Sequence, residues 1–96
     1  MRVAFTEGSV LDLSAIGDFI ASENRRRARS FVAELRQACR SLSKGPERYP
    51  LQAQWPQVRR MPIGNYLVLY RVQNDTVQIL RILHSAMDIS RLTISD

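Results

Sequence analysis

The sequence has one cysteine, one histidine and one lysine, and these shortages exclude several classes of protein. A lone Cys39, at an apolar helical position, cannot build a disulfide framework, and with His84 it offers too few ligands for a metal site. There is no glycine-rich phosphate loop and no run of ~20 apolar residues that could span a membrane. The strand-like start, Met1–Phe5, shows no signal-peptide pattern. We therefore expect a cytosolic protein without a metal or a cofactor.

The length and composition fit one small folded domain over residues 1–96. A chain of 96 residues, 45% of them hydrophobic, can build a single core. The net charge of +5 is carried by arginine, because Lys44 is the only lysine. A basic surface points to an acidic protein or a nucleic acid as partner, since arginine pairs well with carboxylate and phosphate. The other explanation of the arginine excess is GC-rich coding.

A short strand over residues 2–6 is followed by a first predicted helix. Thr6 or Ser9 can cap this helix. Gly17 lies in its interior, where it would permit the close approach of a second helix. The apolar positions recur at helical spacing: Leu13, Ile16, Phe19 and Ile20.

A second predicted helix begins after its cap, Asn24, and ends at Lys44-Gly45-Pro46. The short interval from Ser22 to Asn24 predicts an antiparallel helical hairpin. An apolar stripe runs along the second helix: Ala28, Phe31, Val32, Leu35, Ala38, Cys39 and Leu42. Its start is crowded with cations, which indicate either a solvated face or a contact with an acidic partner: Arg25, Arg26, Arg27 and Arg29.

Three strands are predicted in the second half, over Val58–Met61, 66–72 and 77–83. The turns between them are expected at Pro62–Asn65 and Gln73–Asp75. The last two strands have few polar positions, so both faces of the sheet should be covered at least in part.

The remaining segments are irregular. The proline-rich loop 46–57 should fold over the core through Tyr49, Leu51 and Trp55, and residues 86–92 are expected to form one loose helical turn. The predicted order is β-α-α-β-β-β. This order indicates an α+β fold of two layers, with a helical hairpin packed on a mostly antiparallel four-stranded sheet.

Arginines and tyrosines alternate with apolar residues in the strands and are the best candidates for a binding site. Such a set can hold an RNA strand by charge and stacking, or anchor a partner segment that carries Glu or Asp. A purely structural explanation is that the arginines pair internally, for example with Asp75 or Asp88. The candidates are Arg59, Arg60, Tyr66, Tyr70, Arg71 and Arg81.

No catalytic set is evident around His84. Imidazole can act as a general base near neutral pH, but Ser85 and Asp88 are its only polar neighbours in sequence and neither has a diagnostic spacing. The alternative is a structural histidine that ends the last strand.

Nearly the whole chain resembles a ParE-type toxin of the RelE/ParE toxin–antitoxin superfamily. The helical half contributes Leu11-Asp12-Leu13, Phe19-Ile20-Ala21 and Phe31-Val32 in the family's order. The most specific part is the strand Tyr66-Leu67-Val68-Leu69-Tyr70-Arg71-Val72, followed by Ile79-Leu80-Arg81-Ile82-Leu83-His84. The resemblance implies the toxin of a plasmid- or chromosome-borne module. Its expected partner is a ParD-like antitoxin with an acidic, flexible arm.

The two branches of this superfamily imply different functions. ParE-type members bind and inhibit DNA gyrase, whereas RelE-type members cut mRNA on the ribosome. By the resemblance, ribosome-dependent nucleases carry basic residues where this chain has Leu67 and Met87. They also carry a late tyrosine or His-Tyr pair that this chain lacks. We therefore expect a non-enzymatic gyrase inhibitor, with the mRNA endonuclease as the alternative.

Neutralisation is expected at an apolar groove left by the helical hairpin and the sheet. An amphipathic antitoxin arm would fill the groove, and basic residues at the rim would meet its acidic residues. The expected rim is formed by Arg60, Tyr66, Arg71 and Arg81. Tyr70 and His84 complete the set of residues predicted to contact the antitoxin or the target.

Overall fold

The computed structural model describes residues 1–87, 89, 92 and 94. Its elements in chain order are β1 (Arg2–Phe5), α1 (Glu7–Ala21), α2 (Arg25–Ser41), two 3₁₀ turns (Leu42–Lys44 and Pro46–Arg48), β2 (Arg59–Ile63), β3 (Tyr66–Gln73) and β4 (Thr76–His84). The sheet order is β1-β4-β3-β2, in which only the β1–β4 pair is parallel. The predicted α+β fold, a helical hairpin on a mostly antiparallel four-stranded sheet, is confirmed.

Each helix begins at a polar cap. The Thr6 hydroxyl accepts a hydrogen bond from the Ser9 backbone N–H at 3.2 Å, so Thr6 is the cap of α1 and Ser9 is a buried residue inside it. The Asn24 side chain accepts from the Arg27 backbone N–H at 3.0 Å and caps α2, as predicted. These side chains satisfy N–H groups that have no partner within the helix.

The helices face the sheet with the apolar stripes that their spacing predicts, with one exception. On α2 the predicted stripe is buried or half-buried along its whole length. On α1, Leu13 and Ile16 are buried, but Phe19 is 73% exposed. Ile20 takes the inward position instead, and the next residue along a helix is turned by about 100°. The prediction that Phe19 belongs to the core was therefore wrong.

The strands extend further into the turns than predicted. Strand β2 runs through Pro62 and Ile63, so the first turn is only Gly64-Asn65, with Gly64 at φ 55°. Pro62 is tolerated because β2 is an edge strand, where one side needs no ladder N–H. The second turn is Asn74-Asp75, with φ of 54° and 57°, the two-residue geometry that matches strand twist.

Both faces of the sheet are covered, as predicted. Between sheet and helices lies a first cluster centred on Leu13, Leu35, Val68 and Ile82. The opposite face carries a second cluster: Val58, Leu69, Leu80 and Leu83, with Trp55, Leu67, Ile89, Leu92 and Ile94 packed against it. The pairing of β3 with β4 shifts between Leu69 and Tyr70, because Leu80 is an extra residue in β4. This bulge lets Ile79 and Ile82 both face the helices.

The loop before β2 covers the core with two of its three predicted residues. Tyr49 packs on the first cluster and Trp55 on the second, whereas Leu51 is 54% exposed. Leu51 pairs with Arg59 through its backbone and so extends the edge of the sheet beside β2. The helical turn predicted over residues 86–92 includes positions 88, 90 and 91, which lie outside the described residues. Among the described residues, no helix is long and apolar enough to cross a membrane.

Candidate partner-binding surfaces

A groove of about 820 Å³ runs between α1 and α2 and opens to solvent. Its walls come only from the two helices: Val10, Leu13, Ser14, Gly17, Asp18 and Ala21 from α1, and Arg25, Ala28, Arg29, Val32, Ala33 and Arg36 from α2. Seven of these twelve residues are apolar, and four of the seven are glycine or alanine. The lining therefore combines an apolar floor with charged groups at its sides.

Gly17 brings the two helices close together beneath this groove. A Cβ placed on Gly17 would lie 3.3 Å from Cγ2 of Val32, which is a tight contact. This agrees with the expectation that Gly17 permits the close approach of the second helix.

The two sides of the groove differ in charge. Arg25, Arg29 and Arg36 line the α2 side, whereas Asp18 is the one ionisable residue on the α1 side. Helix α2 contains six arginines and one glutamate, a charge of +5 that equals the net charge of the whole chain. The basic character of the protein is thus concentrated on a single helix.

The residues predicted for the groove rim do not line this groove. Arg60 is exposed on the edge strand β2, and its Nη1 lies 3.5 Å from Oε1 of Gln52. Arg71 is on β3, where its Nε donates to Oε1 of Gln78 at 3.1 Å. Arg60 precedes Met61, and Arg71 follows Tyr70. Since Met61 and Tyr70 face the helices, the alternation of side chains along a strand directs both arginines to the opposite side of the sheet.

Arg81 forms an internal ion pair with a residue that sequence reasoning missed. Its Nε and Nη2 donate to the two carboxylate oxygens of Asp12 at 2.7 and 2.9 Å. The hydrogen bond to Asp12 raises the pKa of Arg81 above its ordinary value. Internal pairing was one alternative for the arginines, but the proposed acids were Asp75 and Asp88. Asp88 lies outside the described residues.

Tyr70 is completely buried, which contradicts its assignment to a binding surface. The alternation of β3 turns it toward the helices, where its hydroxyl donates a hydrogen bond to the Pro46 carbonyl. Burial raises the pKa of this hydroxyl above its ordinary value. Tyr70 therefore has a structural role in anchoring the turn after α2.

Tyr66 and His84 lie side by side at one end of the sheet, as paired residues of β3 and β4. The His84 ring stands edge-on to Tyr66, with centroids 5.4 Å apart, and the ring centroid of Phe31 in α2 lies 5.5 Å from that of Tyr66. The guanidinium of Arg27 lies 5.1 Å from the Phe31 ring centre. His84 is exposed, and its Nδ1 accepts from the Ala86 backbone N–H at 3.1 Å.

Comparison with known proteins places this arrangement in a family. Residues 3–89 match the family described as the ParE toxin of the type II toxin–antitoxin system parDE. The chain belongs to the ParE toxin family. It is therefore the toxin component of a type II toxin–antitoxin module, as the resemblance in the strands implied. A search of curated proteins gives no match.

Two solved structures share the ParE-family fold of this chain. A chain of the chromosomal ParDE system from P. aeruginosa is 23% identical, with a TM-score of 0.77 over 88% of this chain and 95% of that chain. A chain of the RelBE2 toxin–antitoxin complex from Mycobacterium tuberculosis is 27% identical, with a TM-score of 0.64 over 86% of this chain and 95% of that chain. The fold is therefore common to both branches of the superfamily, and the site must decide between them.

Proposed function

We propose that this toxin acts by binding and inhibiting DNA gyrase, and that a ParD-like antitoxin with an acidic arm neutralises it in the cytoplasm. The observation that carries the proposal is the position of Leu67. Where ribosome-dependent nucleases of the superfamily are expected to carry a cation, Leu67 packs against the second apolar cluster. An apolar side chain there can neither move a proton nor neutralise phosphate charge.

Two polar residues of β4, Arg81 and His84, are engaged in hydrogen bonds within the protein. Arg81 is committed to Asp12 by two hydrogen bonds. Nδ1 of His84 accepts the Ala86 backbone N–H at 3.1 Å, so one of its two ring nitrogens is already engaged. These contacts support an inhibitor that binds its target over an RNA-cutting enzyme.

The groove between α1 and α2 is the proposed site for the antitoxin arm. An amphipathic helix could place its apolar side on Val10, Ala21 and Val32. Acidic residues along one edge of that helix would then meet Arg25 and Arg29. The two similar solved structures both come from toxin–antitoxin systems, which agrees with a partner of this kind.

Tyr66 and His84, together with Arg60 and Arg71, are retained as proposed contacts to the target. They lie outside the groove, so a target could approach them while the helices are free. Tyrosine and arginine are frequent at binding hot spots.

Two assays on the purified chain test the proposal. We expect inhibition of gyrase in a DNA supercoiling reaction, and intact transcripts when the chain is added to translating ribosomes. Relief of gyrase inhibition by the antitoxin would support the proposal that a ParD-like antitoxin neutralises the toxin. Cleaved mRNA with undisturbed supercoiling would show that the chain is an endonuclease of the RelE type instead.

A further inference from the structure

Four arginines form a straight row along the exposed side of α2. Arg25, Arg29, Arg36 and Arg40 are separated by four, seven and four residues, which keeps them within about 60° of each other around the helix axis. The row is about 22 Å long at the usual rise per residue. Three of its members are exposed, and Arg36 is half-buried with its guanidinium 6.0 Å from the Phe5 ring centre.

Most of the charge of this row has no ion-pair partner among the described residues. Within the described residues, Arg25, Arg29 and Arg40 form no hydrogen bond or ion pair. The single acidic residue of α2, Glu34, pairs with Arg27 at 2.6 Å, on the other side of the helix. A line of guanidinium groups without acidic partners in the described part of the chain attracts a ligand with a matching line of negative charge.

We infer that the arginine row binds the phosphate backbone of duplex DNA, without reading the base sequence. Duplex DNA presents a stiff, regular array of phosphates, and each guanidinium can bind a phosphate with two hydrogen bonds. This inference goes beyond the proposed function, which does not require the toxin itself to touch DNA. It gives α2 a second ligand, one for which the antitoxin arm would compete at Arg25 and Arg29.

Two observations favour duplex DNA over other polyanions. The row continues to Arg40, beyond the groove lining, which ends on α2 at Arg36, so a peptide held in the groove does not account for the whole row. Single-stranded nucleic acids are held by stacking on aromatic side chains. Phe31, the one aromatic residue of α2, faces the core with 9% exposure, and Phe5, whose ring centre lies 6.0 Å from the Arg36 guanidinium, is half-buried.

The test uses the free chain, without gyrase or antitoxin, and a labelled DNA duplex of arbitrary sequence and about 20 base pairs. Affinity is measured by fluorescence anisotropy from about 50 to about 200 mM KCl. Each lost phosphate contact should lower the slope of log affinity against log salt by about 0.9. We expect Arg40→Gln to show this loss and to weaken binding about tenfold, and Arg29→Gln/Arg40→Gln to lose about twice as much slope.

Arg27→Gln is the matched control, because it removes one arginine from the opposite side of the same helix. Its slope should stay close to that of the unmodified chain, and circular dichroism should show all variants folded. No binding at the lowest salt, or an equal loss in Arg27→Gln and Arg40→Gln, would overturn the inference. Tighter binding to single-stranded or duplex RNA would also overturn it. Because gyrase is absent from this assay, its failure would leave the proposed function standing.

Discussion

Arg81 and Asp12 are 69 residues apart in sequence and form a bidentate ion pair between β4 and α1. The same Asp12 carboxylate accepts the Ile82 backbone N–H at 2.8 Å. Strand β1 stops opposite Ile79, so the edge of β4 would otherwise be unpaired from that point onward. Asp12 of the first helix thus accepts a backbone N–H of β4 beyond the end of β1, where no neighbouring strand in the described ranges is present to accept it.

Loss of the Asp12 carboxylate should destabilise the fold. Asp12→Asn removes one partner of a partly buried ion pair, whose side chains are 30% and 14% exposed. Hydrogen bonds to charged groups contribute about 1.5–3 kcal/mol each, so we expect a loss of about 2–3 kcal/mol in the free energy of unfolding. Urea denaturation measures this loss. Glu34→Gln, which breaks the exposed Arg27–Glu34 pair, is the control and should change stability by less than about 1 kcal/mol. Equal effects of the two variants would contradict the structural role of Asp12.

Tyr70→Phe should weaken the fold and leave partner binding intact. The substitution leaves the Pro46 carbonyl without its buried hydrogen bond, which costs about 1–3 kcal/mol. Thermal unfolding should detect the loss, while the affinity for the antitoxin, measured by calorimetry below the transition, should be unchanged. A large drop in affinity with unchanged stability would restore Tyr70 to the binding surface.

Cys39 should make stability fall in alkaline solution. Burial raises the pKa of its thiol from 9.0 to about 12, so the folded state keeps the proton that the unfolded state releases. A pKa that is raised on folding gives a contribution that is complete below pH 9 and decreases above it. At pH 10 the loss should be about 1.4 kcal/mol relative to pH 8. Urea denaturation of the wild type and of Cys39→Ala at both values checks this, since the variant should lose less than the wild type.

Charge reversal on α2 should locate the antitoxin arm. Arg29→Glu places a carboxylate on the basic side of the groove and should weaken antitoxin binding by about tenfold or more. Arg60→Glu, on the far edge of the sheet, should have a much smaller effect. The opposite result would return the arm to the rim that the sequence predicted. Arg81→Glu is unsuitable for this test because it would place two carboxylates together at Asp12.

Features set by neighbours in sequence were predictable, and those set by distant residues were not. The cap at Asn24 and the apolar stripe of α2 follow from local spacing, and both are confirmed. The partner of Arg81 is Asp12, and no local pattern connects them. The exposure of Phe19 depends on how α1 is rotated about its axis on the sheet. With Ile16 and Ile20 packed on the first cluster, Phe19 is turned toward solvent.

The chemical character of the candidate groove was predicted from the sequence, but the residues that line it were not. An apolar groove with a basic rim was expected, but with Arg60 and Arg71 at its edge. Strand residues project to alternate faces, and the groove is formed by helices alone. The arginine run at the start of α2 contributes Arg25 and Arg29 to the lining of this groove, and the run had two explanations in the sequence.

The hydroxyl of Thr6 donates to the carbonyl oxygens of Ile79 and Leu80, both at 2.9 Å, so the sixth residue is tied to the last strand. Because β1 pairs with β4, the first strand cannot join the sheet until the last strand has been synthesised. A nascent or truncated product that stops short of β4 lacks the strand with which β1 pairs and the carbonyl groups to which Thr6 donates. Toxicity should therefore appear only when translation of the chain is nearly complete.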